Sequence, residues 1–211
     1  AKSGAKTAAR MPVVERMHII GKAAEYIVTN SEQYARIIAK ESSKTIREAR
    51  KEVGRAVETL RLSAEEARRI TGETIPFDQS PGGIGKVGYY RRVPLGIIGA
   101  ITPFNDPLNL VAHKVGPAIA SGNAIIVKPA TVTPLSALLM AQAFAHAGLP
   151  EKILSVITGR GGEIGDVLVE HPAVRMISFT GGVETGLAIT KKAGLKKVGM
   201  ELGSNSPVIV L

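Results

Sequence analysis

Two glycine-rich turns stand out as places where this chain can do chemistry. Gly159, Gly161 and Gly165 form a G-x-G-x-x-x-G run, and Gly181-Gly182 precede a helical segment. Glycine ahead of a helix leaves backbone N–H groups open to a pyrophosphate at the helix N-terminus. Glycines such as Gly161 and Gly165 let backbone approach a nucleotide closely. Neither run is G-x-G-x-x-G, and singly each reads first as a plain strand-to-helix turn. Lys128 directly follows Ile125-Ile126-Val127. An ammonium there can bond a ribose hydroxyl or a ribose phosphate, or merely reach solvent from a strand end. Asn105 lies between Pro103 and Pro107 in TPFNDP. A rigid amide can donate to a developing oxyanion or cap the next helix. Glu201 leaves a strand into Leu202-Gly203, as a general base or a surface carboxylate. His113 falls inside a helix as a packing residue, and His18, His146 and His171 lack ligand-like spacing, so no metal site is expected. Cysteine is absent, which excludes disulfides, thiolate metal sites and a cysteine nucleophile within these residues.

The elements that must position these groups change character once. Up to about Gly72 the pattern is helical. Val13, Met17, Ile20, Ala24 and Ile27 share one face at spacings of three and four. Ser31 can cap a second helix bearing Tyr34, Ile37 and Ile38. A third runs from about Thr45 to Arg69, burying Ala49, Val53, Ala56, Leu60, Ala64 and Ala67. Pro76, Pro81, Gly82 and Gly83 then break the pattern, and Thr74–Phe77 and Lys86–Val93 read as strands of a hairpin.

Beyond Pro94 strands and helices alternate. Strands are expected at Gly96–Thr102, Asn123–Lys128, Ile153–Thr158, Val174–Phe179, Lys197–Glu201 and Pro207–Leu211. Helices are expected at Leu108–Ala120 (bent or restarted near Pro117), Pro134–Ala147, Glu163–Glu170 and Glu184–Ala193. That alternation implies an α/β fold: a Rossmann-like, doubly wound parallel sheet with N-terminal helices and a protruding hairpin. Ligands in such sheets sit at the carboxyl ends of the strands. Asn105, Lys128, the glycine turns and Glu201 all fall at those ends, which favours binding over plain turns. The division expected is 1–73 helical, 74–93 hairpin and 94–211 dinucleotide-binding.

Length and composition set the outer bounds. The 211 residues suffice for a full core without staples. Hydrophobic residues at 45% and charged residues at 21% exclude intrinsic disorder. No apolar run is long enough to span a membrane, and Ala1–Arg10 has basic residues but no apolar core behind it, so a cytoplasmic chain is expected. The formal charge of +9 raises a nucleic-acid partner. The bases are scattered, however, and with four Tyr, four Phe and no Trp stacking platforms are scarce. No nucleic acid is expected; an anionic small molecule is the better use of the charge.

Together, PLGIIGAITPFNDPLN (94–109), GPAIASGNAIIVKPATVTPLSA (116–137), HAGLPEKILSVITG (146–159), ISFTGG (177–182) and MELGSNSPVIVL (200–211) resemble the aldehyde dehydrogenase superfamily over essentially the whole chain. The resemblance implies oxidation of an aldehyde by NAD or NADP through a cysteine thiohemiacetal and thioester. It makes Asn105 the oxyanion donor and Glu201 the base that activates water for deacylation. The cofactor groove would map to Ile101, Thr102, Pro103, Phe104, Lys128, Ala130, Thr131, Gly161, Gly165, Phe179, Thr180, Gly181, Gly182 and Leu202. The family's nucleophilic cysteine would lie beyond Leu211, so the resemblance reads the chain as a cofactor-binding fragment, inactive alone. A non-catalytic dinucleotide-binding or scaffold protein ending near residue 211 is the alternative.

Three details sharpen the resemblance. Thr131 stands where the family has a glutamate that bonds the ribose 2′-hydroxyl, so a 2′-phosphate is permitted. Ser204 replaces the second glycine of ELGG, and Phe104 replaces a Trp. The segments TPFNDPLN, AHK and KKAG are closest in style to the lactaldehyde, succinate semialdehyde and non-phosphorylating glyceraldehyde-3-phosphate branches. In relatives that oxidise anionic aldehydes an arginine at the position of Arg55 faces the substrate tunnel. The plain alternative is a solvated Arg55, or one paired with Glu52 or Glu58. The hairpin resembles one used in oligomerisation, which implies a homodimer or homotetramer.

Overall fold

The computed structural model describes residues 1–210. Four helices come first: α1 (Lys2–Arg10), α2 (Val13–Thr29), α3 (Ser31–Glu41) and α4 (Ile46–Ala67). The long α4 starts at a capping box: the Glu48 amide donates to the Thr45 hydroxyl at 3.3 Å, and the Thr45 amide to the Glu48 carboxylate at 2.9 Å. Ala49, Val53, Ala56, Leu60 and Ala67 form its buried stripe, and Ala64 is half-buried. That stripe packs on α2, α3 and a later helix, α5 (Asn109–Ala120). The α4–α5 approach is close because residue 116 is glycine: a Cβ there would lie 2.5 Å from Ser63 Oγ. On α2, Ile20, Ala24 and Ile27 are buried as the spacing predicts, while Val13 is exposed at the helix start. Helix α1 has no apolar stripe to announce it. It seats through Gly4, where a Cβ would come within 1.9 Å of the Lys152 carbonyl oxygen.

The hairpin pairs β1 (Glu73–Pro76) with β2 (Val87–Tyr90) antiparallel, Glu73 opposite Tyr90. The second strand is shorter than the sequence pattern predicts.

The main sheet has five parallel strands in the order β5-β4-β3-β6-β7. They are β3 (Ile97–Ile101), β4 (Ala124–Lys128), β5 (Leu154–Val156), β6 (Val174–Thr180) and β7 (Lys197–Glu201). Helices α5, α6 (Leu135–His146), α7 (Asp166–Glu170) and α8 (Val183–Ala193) make the crossovers. The chain winds outward from β3 through β4 to β5, then returns to β6 on the other side of β3. The switch point between β3 and β6 is where such sheets hold ligands.

Helix α5 runs across Pro117 as one helix, which excludes the restart and leaves the bend as the reading there. Two expectations need correction. The helix expected from Glu163 begins later: Gly161–Gly165 is one wide i→i+5 turn, and regular helix starts at Asp166. Three glycines in five residues hold the turn out of α-helix by poor propensity. Residues 207–210 form no strand; they are exposed and find no ladder partner among the described residues, and Pro207 carries no N–H to donate. Leu211 lies outside the described residues. No helix is long and apolar enough to cross a membrane.

Candidate functional site

Parallel register aligns the strand ends into one rim. Ile101 on β3 pairs with Lys128 on β4 and with Phe179 on β6, and Thr180 pairs with Glu201 on β7. The first residues beyond those strands are therefore neighbours across the sheet. The Thr102 amide donates to the Lys128 carbonyl at 3.2 Å, and the Gly181 amide to the Glu201 carbonyl at 3.1 Å. From β5 to β7 the rim crosses four inter-strand spacings, about 19 Å. A small aldehyde cannot touch both ends of it; an extended ligand can.

The loop after β3 carries Asn105. Its side chain is exposed and takes part in no hydrogen bond among the described residues. It is not the cap of α5. Leu108 occupies that position, and the cap comes from α4: Glu52, fully buried, accepts from the Leu108 amide at 2.8 Å and the Asn109 amide at 3.1 Å. Lys44 Nζ donates to the other Glu52 oxygen at 2.5 Å and also to Asp106, the neighbour of Asn105. An unpaired buried carboxylate costs several kcal/mol. With three donors at roughly 1.5–3 kcal/mol per charged bond, Glu52 is well compensated. Asp106 also accepts from Arg55 at 2.9 Å. Burial pushes the Asp106 pKa up, but Lys44 and Arg55 outweigh it and hold the carboxyl below its usual range.

The loop after β4 carries Lys128, Ala130 and Thr131. Lys128 does not extend to solvent. It is 4% exposed, its Nζ donates to the Pro129 carbonyl at 3.1 Å, and burial lowers its pKa. Thr131 is exposed, and its hydroxyl donates to the Gly159 carbonyl at 3.1 Å, tying this loop to the turn after β5. Helix α6 is capped from outside too. Glu41 of α3 accepts from the Leu135 amide at 2.6 Å, from the Ser136 amide at 2.9 Å and from the Ser136 hydroxyl.

A dinucleotide fits this rim on two observations. The hydroxyls of Thr102, Thr133 and Thr180 are buried without a partner, each at a cost of about 1–3 kcal/mol that a polar ligand would relieve. Space is also open where a Cβ would stand at Gly161, Gly165 and Gly182, and Gly182 caps the N-terminus of α8. Gly181 is needed for a different reason: a Cβ there would lie 2.5 Å from the Phe179 ring. Phe104, 62% exposed, and the partly buried Ile101 and Pro103 add an apolar wall. Leu202 is exposed just past β7.

Sequence reasoning passed over Lys114, set His113 among the packing residues and did not foresee the partner of Arg55. Lys114 of α5 is buried and makes no hydrogen bond among the described residues. Burial lowers its pKa, and the Glu201 carboxylate partly offsets that, which puts the two within electrostatic reach. His113 is exposed rather than packed inside. Partial desolvation of its ring against the protein lowers its pKa, as do Lys114 and Arg55, while Glu201 and Asp106 act in the opposite sense. His113 and Thr59 line a groove of about 460 Å³ between α4 and α5. Arg55 pairs with neither Glu52 nor Glu58, which are taken by Lys44 and Arg61; it reaches across to Asp106, with half its side chain exposed.

Comparison with known proteins follows the same lines. The aldehyde dehydrogenase family matches residues 1–211. The chain is 53% identical over 210 residues to aspartate-semialdehyde dehydrogenase 1 of Pseudomonas canavaninivorans, covering all of this chain and 44% of that protein. It is 50% identical over 196 residues to 3-sulfolactaldehyde dehydrogenase of Priestia aryabhattai, covering 93% of this chain and 41% of the relative. The crystal structure of NADP-dependent glyceraldehyde-3-phosphate dehydrogenase from Bacillus halodurans C-125, complexed with NADP, superposes with a TM-score of 0.95 at 43% identity, over 98% of this chain and 44% of that one. The chain thus spans less than half the length of these relatives. On its sequence and on its fold it belongs to the aldehyde dehydrogenase family.

Proposed function

We propose that these residues are the cofactor-binding half of an enzyme that oxidises a small, anionic aldehyde to the carboxylic acid with NAD or NADP. The observation that carries this is the shared rim: Asn105, Lys128, Thr180-Gly181-Gly182 and Glu201 come from four strands and meet at one sheet edge. When bound, the nicotinamide supplies a hydride acceptor. Asn105 donates its free amide to the oxyanion formed at the aldehyde carbon. Glu201 takes a proton from the water that hydrolyses the thioester. The cysteine that forms this thioester lies outside these residues. Lys128 and Thr131 hold the adenosine ribose, and the amide at Gly182 faces the pyrophosphate; the Gly181 amide, read from the sequence as a second donor, is already taken by the Glu201 carbonyl. The exposed Ile84, Val87, Tyr89 and Val93 around the hairpin give a second copy of the chain an apolar surface to cover, as in a homodimer or homotetramer. Purified full-length protein should form reduced cofactor from small aldehydes bearing a carboxylate, sulfonate or phosphate. No reduction with any of the three classes, under either cofactor, overturns the reading.

The substrate's anionic group is assigned to Arg55. Aspartate semialdehyde, sulfolactaldehyde and glyceraldehyde 3-phosphate, named for the relatives, all carry one. Arg55 spends one guanidinium nitrogen on Asp106, and its remaining donors can form a fork on a second anion. Arg55→Leu should raise KM for an anionic aldehyde about 10–100-fold, the equivalent of one charged hydrogen bond. KM for propanal should stay within about twofold. Equal effects on both aldehydes return Arg55 to a purely structural role.

NADP is accepted because nothing at residue 131 repels it. Thr131 is neutral, and a 2′-phosphate would offset the desolvation that lowers the Lys128 pKa. Thr131→Glu should raise KM for NADP about tenfold or more while leaving NAD within about twofold. Unchanged NADP kinetics in that variant would remove residue 131 from the ribose site.

A further inference from the structure

We infer that Glu52 and Glu41, two carboxylates of the helical layer, are positioning residues for the two site loops: Glu52 sets the Asn105 loop and Glu41 sets the Lys128–Thr131 loop. Helix N-termini are ordinarily capped by a Ser, Thr, Asp or Asn of the preceding loop. Here the cap positions of α5 and α6 are Leu108 and Pro134, neither gives a side-chain cap, and neither first turn carries an acid. Both caps come instead from far away in the chain. Glu52 reaches 56 residues to the Leu108 amide, and Glu41 reaches 94 residues to the Leu135 amide. Each carboxylate bonds two successive amides at the point where a site loop becomes a helix. Lys44 extends the first clamp by joining Glu52 to Asp106, next to Asn105. Each loop is thereby held from behind, at its helical end, by a carboxylate that lies outside the rim.

This rests on the roles proposed for Asn105 and Lys128, and it predicts that the two clamps separate kinetically. In the full-length protein, Glu52→Gln should lower kcat about tenfold or more with KM for the cofactor within about twofold, since misplacement of a catalytic group by about 1 Å can cost 10²-fold. Glu41→Gln should raise KM for the cofactor about fivefold or more with kcat within about twofold. Both should lower Tm, because each loses capping bonds; a merely structural role would shift Tm without splitting kcat from KM. Glu52→Asp and Glu41→Asp keep the charge but withdraw it by one methylene, and they decide the matter if a glutamine variant does not fold. The inference is overturned if both variants change kcat and KM in the same proportion. Asn105→Ala separates it from the underlying reading. A large kcat loss in Asn105→Ala beside normal kcat in the Glu52 variants overturns the positioning role alone. No loss in Asn105→Ala overturns the oxyanion reading and this inference with it.

Discussion

Glu201→Gln in the full-length protein should give a normal first burst of reduced cofactor, followed by turnover slowed about 10²–10⁴-fold, the range a positioned general base contributes. Glu201 ends β7 in register with Thr180, is exposed, and makes no side-chain hydrogen bond among the described residues. A carboxylate at a strand end with free oxygens is available to a water. Glutamine keeps the shape and removes the basicity, so acylation and hydride transfer proceed while hydrolysis stalls. Rapid-mixing measurement of cofactor absorbance separates the phases. Wild-type steady turnover in the variant would assign the base elsewhere, and loss of the burst itself would place Glu201 in the first half of the reaction.

Asn105→Ala should lower kcat about 10²–10³-fold, the effect of deleting one oxyanion donor, with cofactor KM within about twofold. The variant is a clean one. The Asn105 side-chain amide bonds nothing among the described residues, and α5 is capped by Glu52, so truncation leaves no buried group unsatisfied and Tm should hardly move. A kcat within twofold of wild type, read beside an unchanged Tm, would sink the oxyanion assignment.

The doubly wound architecture was legible because periodicity reports it. Apolar spacing on α4 marked the stripe that is buried, and the run Ile125-Ile126-Val127 marked a central strand. The rim followed from topology, since parallel strands must bring their carboxyl ends to one edge. Long-range side-chain pairing was not legible. Nothing local to Glu41 or Glu52 says that each will cap a helix beyond the hairpin, and Arg55 offered no sign that it would choose Asp106 over nearer acids. The packing of α1 escaped for a related reason: its contact is one glycine against a distant carbonyl, and hydrophobic pattern does not record it. The tail at 207–210 shows the converse. Its valines and isoleucine have strand propensity, but a strand also needs a partner edge.

The outside caps on α5 and α6 bear on how readily this fold changes its ligand over evolution. In a loop that caps its own helix, a residue near the rim serves both stability and recognition, and a substitution there risks both. Here the bonds that cap the two helices belong to Glu41 and Glu52, while Phe104 and His113 face outward with exposed side chains. Exchanges at those two positions can therefore drift toward new ligands with little loss of folding stability. Sister proteins with this helical layer should vary at the rim while keeping the clamp.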